Sequence, residues 1–212
     1  MSAADWDHNA WYSRLLLRQV PAGADRVLDV GCGAGALARE LAGRARRVDA
    51  LDRDPAMVAL ARQGAPAGLT VLEGDALTVD LPAGGYDAVL SLSSLHHLPT
   101  APALARMAGW LRPGGVLAAV ALPRTDLPRD VPVELAAVVG HRVLGTAFAA
   151  GRRLTDRPLF AHAPDHDAMP VRNPELTTRQ VRAAAAAVLP GVRVRRLVFW
   201  RYLLTWTRPL TG

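Results

Sequence analysis

Val27-Leu28-Asp29-Val30-Gly31-Cys32-Gly33-Ala34-Gly35 is an apolar run that ends in three glycines at alternate positions. Ala36 to Ala45 follows and has the composition of a helix. A short apolar run entering a glycine cluster reads as a buried strand. Glycine lets the backbone turn sharply and leaves no Cβ between the chain and a ligand. The stretch therefore predicts a strand over 26–30, a tight turn and a helix. A ligand site is expected at this turn, because open α/β sheets bind ligands at the carboxyl ends of their strands.

Outward from the turn, strand and helix patterns alternate. Val48 to Leu51, Leu69 to Leu72, Tyr86 to Leu92 and Val116 to Leu122 read as further strands. Asp54 and Pro55 supply an N-cap and a first-turn proline for a helix ending near Gly64. Ala101 to Leu111 reads as another helix, closed by an Arg112-Pro113-Gly114-Gly115 turn. This alternation predicts a parallel sheet with helices on both faces. Upstream, Trp11 to Val20 reads as an amphipathic helix within an N-terminal lid segment, 1–24. Downstream, Pro123 to Pro174 breaks the alternation and reads as an insertion with a helix over Val133 to Ala150. It is too short to be a second domain and is expected to wall an acceptor pocket. After a helix over Thr178 to Leu189, Val192 to Trp200 and Tyr202 to Thr207 read as an antiparallel pair at the sheet edge. The fold class is thus α/β, Rossmann-like and doubly wound, with seven mostly parallel strands in one domain.

The glycine spacing is G-x-G-x-G, and Ala36 stands where a dinucleotide fold has its third glycine. An alanine is tolerated there, so spacing alone leaves NAD open. Asp52 ends the second strand 17 residues beyond Gly35, where a carboxylate can accept from both ribose hydroxyls.

Five segments in order give the chain its likeness: Asp29 to Gly35, Asp52, Gly74-Asp75-Ala76, Tyr86 to Ser91 with Leu95-His96-His97-Leu98, and Leu111 to Gly115. Together they resemble the class I S-adenosylmethionine (SAM)-dependent methyltransferases. The resemblance implies SAM as cofactor and S-adenosylhomocysteine (SAH) as product. It implies that Asp29 and Gly31 meet the ammonium end of SAM, with Gly33 and Gly35 shaping the turn. Asp52 would take the ribose, Asp75 and Ala76 the adenine, Arg53 and Met57 would pack on the ring, and Ser91 would lie beside the methyl. His96, with His97 as neighbour, is the candidate base toward the acceptor. The expected acceptor is a small organic molecule methylated on O, N or C. An RNA or protein methyltransferase and a non-catalytic SAM-binding or partner-binding module remain alternatives.

Composition bounds the rest. The 212 residues carry a formal net charge of +6, and every basic side chain among the 25 Lys and Arg is an arginine. These arginines are scattered, which reads as a solvated surface, so no nucleic-acid partner is expected. Cys32 is the lone cysteine, so no intrachain disulfide forms, which fits a cytoplasmic location. It reads as a packing residue. Val131 to Ala150 contains Glu134, His141 and Arg142, which argues against a membrane span. His162, Asp165, His166 and Asp167 match no familiar ligand spacing, so no metal is expected. His8, Trp11 and Tyr12 are read either as a lid over the cofactor or as core, and Arg14 as a solvated residue. Either a monomer or a homodimer is compatible with this sequence.

Overall fold

The computed structural model describes residues 5–155, 159–160 and 173–210. Its centre is β1 (Arg26–Val30), paired in parallel with β2 (Arg47–Asp52) on one side and β4 (Tyr86–Leu92) on the other. β3 (Leu69–Glu73) extends the sheet beyond β2, and β5 (Leu111–Ala121) extends it beyond β4. β7 (Arg201–Thr207) lies antiparallel to β5, and β6 (Arg193–Leu197) pairs antiparallel with β7 at the edge. The order is β3-β2-β1-β4-β5-β7-β6. The chain winds outward from β1 to β3 and then returns to place β4 on β1's other side. The crevice opens where that winding reverses.

Alternate strand residues feed two apolar layers, Val27 one and Leu28 the other. One layer packs α1 (His8–Leu17), α2 (Ala36–Ala42) and α3 (Pro55–Arg62) through Leu16, Leu37, Leu41 and Val58. The other packs α4 (Thr100–Trp110) and α6 (Thr178–Ala186) through Leu104, Met107 and Val181.

Local chemistry sets the element ends. α1 starts at His8, earlier than its apolar pattern, because the Asp7 carboxylate accepts from the Asn9 and Ala10 N–H groups. Asp54 caps α3 as its sequence predicts, accepting from the Ala56 N–H. Arg112 to Gly115, expected as a turn, is carried inside β5: Tyr86 pairs with Leu111 and pairing resumes at Ala88 with Val116. Arg112 there reaches the buried Asp87 at 2.6 Å, and Gly114 and Gly115 exchange backbone hydrogen bonds with Arg208.

α5 (Val131–Thr155) is longer than expected and buries only Ala137 and Gly145. Leu135, Val139 and Val143 on its outer face are each 62% exposed. By length and composition alone α5 could cross a membrane, although the sequence reading set Glu134, His141 and Arg142 against that. Glu134 accepts from Arg196 and from the Trp200 indole, each at 2.6 Å, and Trp6 donates to the His141 carbonyl. Those contacts hold the inner face of α5 against the segment before α1, β6 and the β6–β7 turn.

Candidate functional site

A cleft of about 540 Å³ opens at the carboxyl ends of β1, β2 and β4. The glycine turn forms its floor. Gly31 has φ +72°, and a Cβ on it would stand 1.7 Å from the Ser94 hydroxyl, so only glycine fits. Its N–H donates to the Leu51 carbonyl at 2.8 Å, which ties the turn to β2. The Gly33 N–H donates to Asp52 Oδ2 at 2.8 Å, and the Asp54 N–H to Oδ1 at 3.0 Å. Asp52 is thus fixed in the wall beside Arg53 and Met57. Farther along, Asp75 and Ala76 form the next part of the wall. Asp75 accepts from the Leu77 N–H, and the Ala76 carbonyl accepts from Arg106 Nε at 3.0 Å. Gly35 stands behind the wall as the left-handed N-cap of α2, where its φ of +85° turns the chain.

Asp29 is 1% exposed, and neither carboxylate oxygen has a hydrogen-bond partner. Burial first, then the nearby Asp52 charge, pushes its pKa up to about 7. A buried unpartnered carboxylate in a cleft wall has the chemistry to pair with a cationic group. Cys32 lines the same floor, and its thiol pKa is pushed up, chiefly by burial. That makes it a packing residue and a poor nucleophile.

Two sequence expectations are corrected by position. Ser91 lies inside β4, is 1% exposed and is absent from the cleft wall. The hydroxyls that reach the cleft are those of Ser93 and Ser94, past the end of β4. His96 also misses the cleft. It lines a separate pocket of about 110 Å³ with Leu122, Leu176 and Tyr202. Burial, then His97 and Arg201, lowers its pKa to about 3, so it is a weak base. His97, its neighbour on the 3-10 turn Leu95–His97, lines the cleft instead.

Asp7, Asn9, Ala10 and Ser13 of the N-terminal segment line the cleft, and none of them was singled out from the sequence. The residues it did single out face the other way. His8 Nε2 lies 3.1 Å from His141 Nδ1, and its ring stacks on Phe199. Trp11 packs on Phe148 and Phe160, Arg14 sits 4.6 Å over the Phe160 ring, and the Tyr12 hydroxyl donates to the Val198 carbonyl. The helical spacing of Asn9, Ala10 and Ser13 on one face of α1 was the signal for the roof. No described residue of 123–174 lines the cleft. The expected acceptor wall from the insertion is therefore not formed by these residues, since α5 is taken up by the aromatic cluster behind α1. His162, Asp165, His166 and Asp167 lie outside the described residues.

A protein-family profile described as "Methyltransferase domain" matches residues 27–115. An uncharacterized methyltransferase of Mycobacterium bovis is 36% identical over 207 residues, covering 97% of this chain and 98% of its own. The chain belongs to the class I SAM-dependent methyltransferases. A ubiquinone biosynthesis O-methyltransferase of Xanthomonas axonopodis pv. citri is 40% identical over 141 residues, covering 63% of this chain and 56% of that protein. In fold, the methyltransferase is similar to an S-adenosylmethionine-dependent methyltransferase from Mesorhizobium loti. That crystal structure has a TM-score of 0.63 and 20% identity, covering 94% of this chain and 98% of the other.

The cofactor of this methyltransferase is SAM, and the donor set of the cleft suits it. SAM carries cations and hydroxyls and no phosphate. The wall offers carboxylates at Asp29, Asp52 and Asp75, with the bare Asp29 placed for a cation.

Proposed function

We propose that this methyltransferase acts on a small organic acceptor, at an oxygen atom. The observation that carries the small-molecule reading is the charge of the cleft. Asp7, Asp29, Glu40, Asp52, Asp54 and Asp75 line it against a single arginine, Arg53. Nucleic-acid sites meet a phosphate backbone with clustered Arg and Lys, and this cleft offers one arginine. The roof by α1 also limits the acceptor to what fits beneath it. Oxygen is favoured by the likeness to ubiquinone biosynthesis O-methyltransferases.

In this reading Asp29 pairs with the ammonium of SAM, Asp52 holds the ribose, and Asp75 with the Ala76 N–H meets the adenine. SAM supplies a methyl group already activated on a cationic sulfur. The protein's work is then to position and desolvate the acceptor under α1. His97, which lines the cleft, takes the proton of an acceptor hydroxyl as the oxygen is methylated. We also assign a cytoplasmic location, where the free thiol of Cys32 on the cleft floor stays reduced.

Calorimetry with SAM, SAH and NAD tests the cofactor half, and only the first two are expected to bind. Transfer of a labelled methyl group to pooled small phenols, against total RNA, tests the acceptor half. Labelling of RNA alone would overturn the small-molecule reading and leave the family assignment standing.

A further inference from the structure

We propose that the side-chain amide of Asn9, backed by Arg201, is an acceptor-recognition site that selects molecules bearing an anionic oxygen such as a carboxylate. This rests on the methyltransferase reading above.

The orientation of Asn9 is fixed by chemistry. Its Oδ1 accepts from the Ser93 hydroxyl at 2.6 Å and from Arg201 Nη2 at 3.3 Å. A guanidinium only donates, so the amide oxygen faces Arg201, and the two Nδ2–H donors face the opposite side of the amide. Asn9 itself lines the cleft. Among the described residues nothing accepts from Nδ2. The donors are therefore available to an occupant of the cleft.

Arg201 makes these donors stronger. Its guanidinium is held by two neutral oxygens, Asn9 Oδ1 and the Trp200 carbonyl, and its Nε is buried without a partner. Burial lowers its pKa to about 10, so it keeps its proton at neutral pH. Among the described residues no carboxylate forms an ion pair with it. The nearby Asp7 carboxylate is occupied by the N–H groups at the start of α1, and the nearby Arg196 is paired with Glu134 and Asp130. Tyr12 is neutral, because burial pushes its hydroxyl pKa up to about 12. A cation donating to the amide oxygen polarises the amide and sharpens its N–H donors. A buried cation with no bonded anion also favours a negative charge on the ligand.

Topology assigns this pair to the acceptor. Asp75, Asp52 and Asp29 mark the β3, β2 and β1 part of the crevice, where the proposed SAM contacts lie. Ser93 follows β4 and Arg201 opens β7, on the opposite side of β1. Arg201 does not line the cleft and acts through Asn9, so it is a positioning residue.

The test uses the SAH-loaded protein with benzoate and its neutral counterpart benzyl alcohol as probes, followed by ligand-observed NMR titration. Benzoate is expected to bind about tenfold tighter, the scale of one charge-assisted hydrogen bond. Asn9→Leu should erase most of that preference, and Asn9→Asp all of it, since the new carboxylate pairs with Arg201 and repels the probe. Arg201→Gln should lower the preference and Arg201→Lys retain most of it, because the lysine keeps the charge. All four variants should still bind SAH, which reports that they are folded. Equal binding of the two probes by the native protein overturns the proposal. So does a preference that survives Asn9→Leu, or equal losses in Arg201→Gln and Arg201→Lys. Failure of the native protein to bind SAH would instead remove the cofactor assignment on which the proposal rests.

Discussion

Replacing Asp29 by Asn should stabilise the ligand-free protein while weakening its hold on the cofactor. Asp29 is fully buried in β1 with both oxygens unpartnered, and its pKa rises from 3.8 to about 7. The unfolded chain gives up this proton near pH 3.8, and the folded chain only near pH 7. Between those values the folded state binds more protons, so this site favours folding at low pH and loses that advantage as pH rises through 7. The full difference is about 4 kcal/mol at roughly 1.4 kcal/mol per pH unit. A neutral amide resembles the protonated acid, so Asp29→Asn should gain up to about 4 kcal/mol over the native protein at pH 8 and little at pH 4. Urea unfolding of both proteins at the two pH values measures this. Calorimetry with SAH measures the opposite effect. The cationic ammonium needs the ionised carboxylate, so native affinity should weaken about tenfold per pH unit below 7 and level off above it. The Asn variant should bind SAH more weakly by about 1.5–3 kcal/mol at pH 8, with no such pH dependence. An Asn variant no more stable than native at pH 8, together with a flat pH profile for native SAH binding, would refute the reasoning.

Asp52→Ala should weaken SAH by about 1.5–3 kcal/mol in calorimetry, the scale of hydrogen bonds to a charged group, and it also frees the Gly33 N–H. Gly31→Ala should lower the unfolding free energy measured in urea by more than about 1 kcal/mol, since it adds a Cβ 1.7 Å from Ser94 Oγ at a positive φ. His97→Ala should cut labelled-methyl transfer to a phenolic acceptor while sparing SAH affinity. His96→Ala should leave the pH profile of that transfer unchanged, because His96 lines a different pocket.

The sequence by itself determined the architecture around β1. Apolar runs broken by glycine and capped helices are local signals, and they were read at Val27 to Gly35, at Asp54-Pro55 and along each later strand. Asp52 was legible too, because the end of a strand after a glycine turn has one place in an α/β sheet. What escaped the sequence depends on contacts distant along the chain. A 3-10 turn sends successive side chains in different directions, so only the packing of β5, α6 and β7 around His96 decides that His97 faces the cleft. Ser91 and Ser93 differ by two residues, but β4 ends between them, and its pairing with β5 sets that end. The roof over the cleft required α1 to dock, and Asn9 acquires its orientation from Arg201, 192 positions away. Periodicity reports which face of an element is buried. It carries no information on which other element does the burying, and it is that neighbour which fixes the charge, partners and access of a buried polar group such as Asp29.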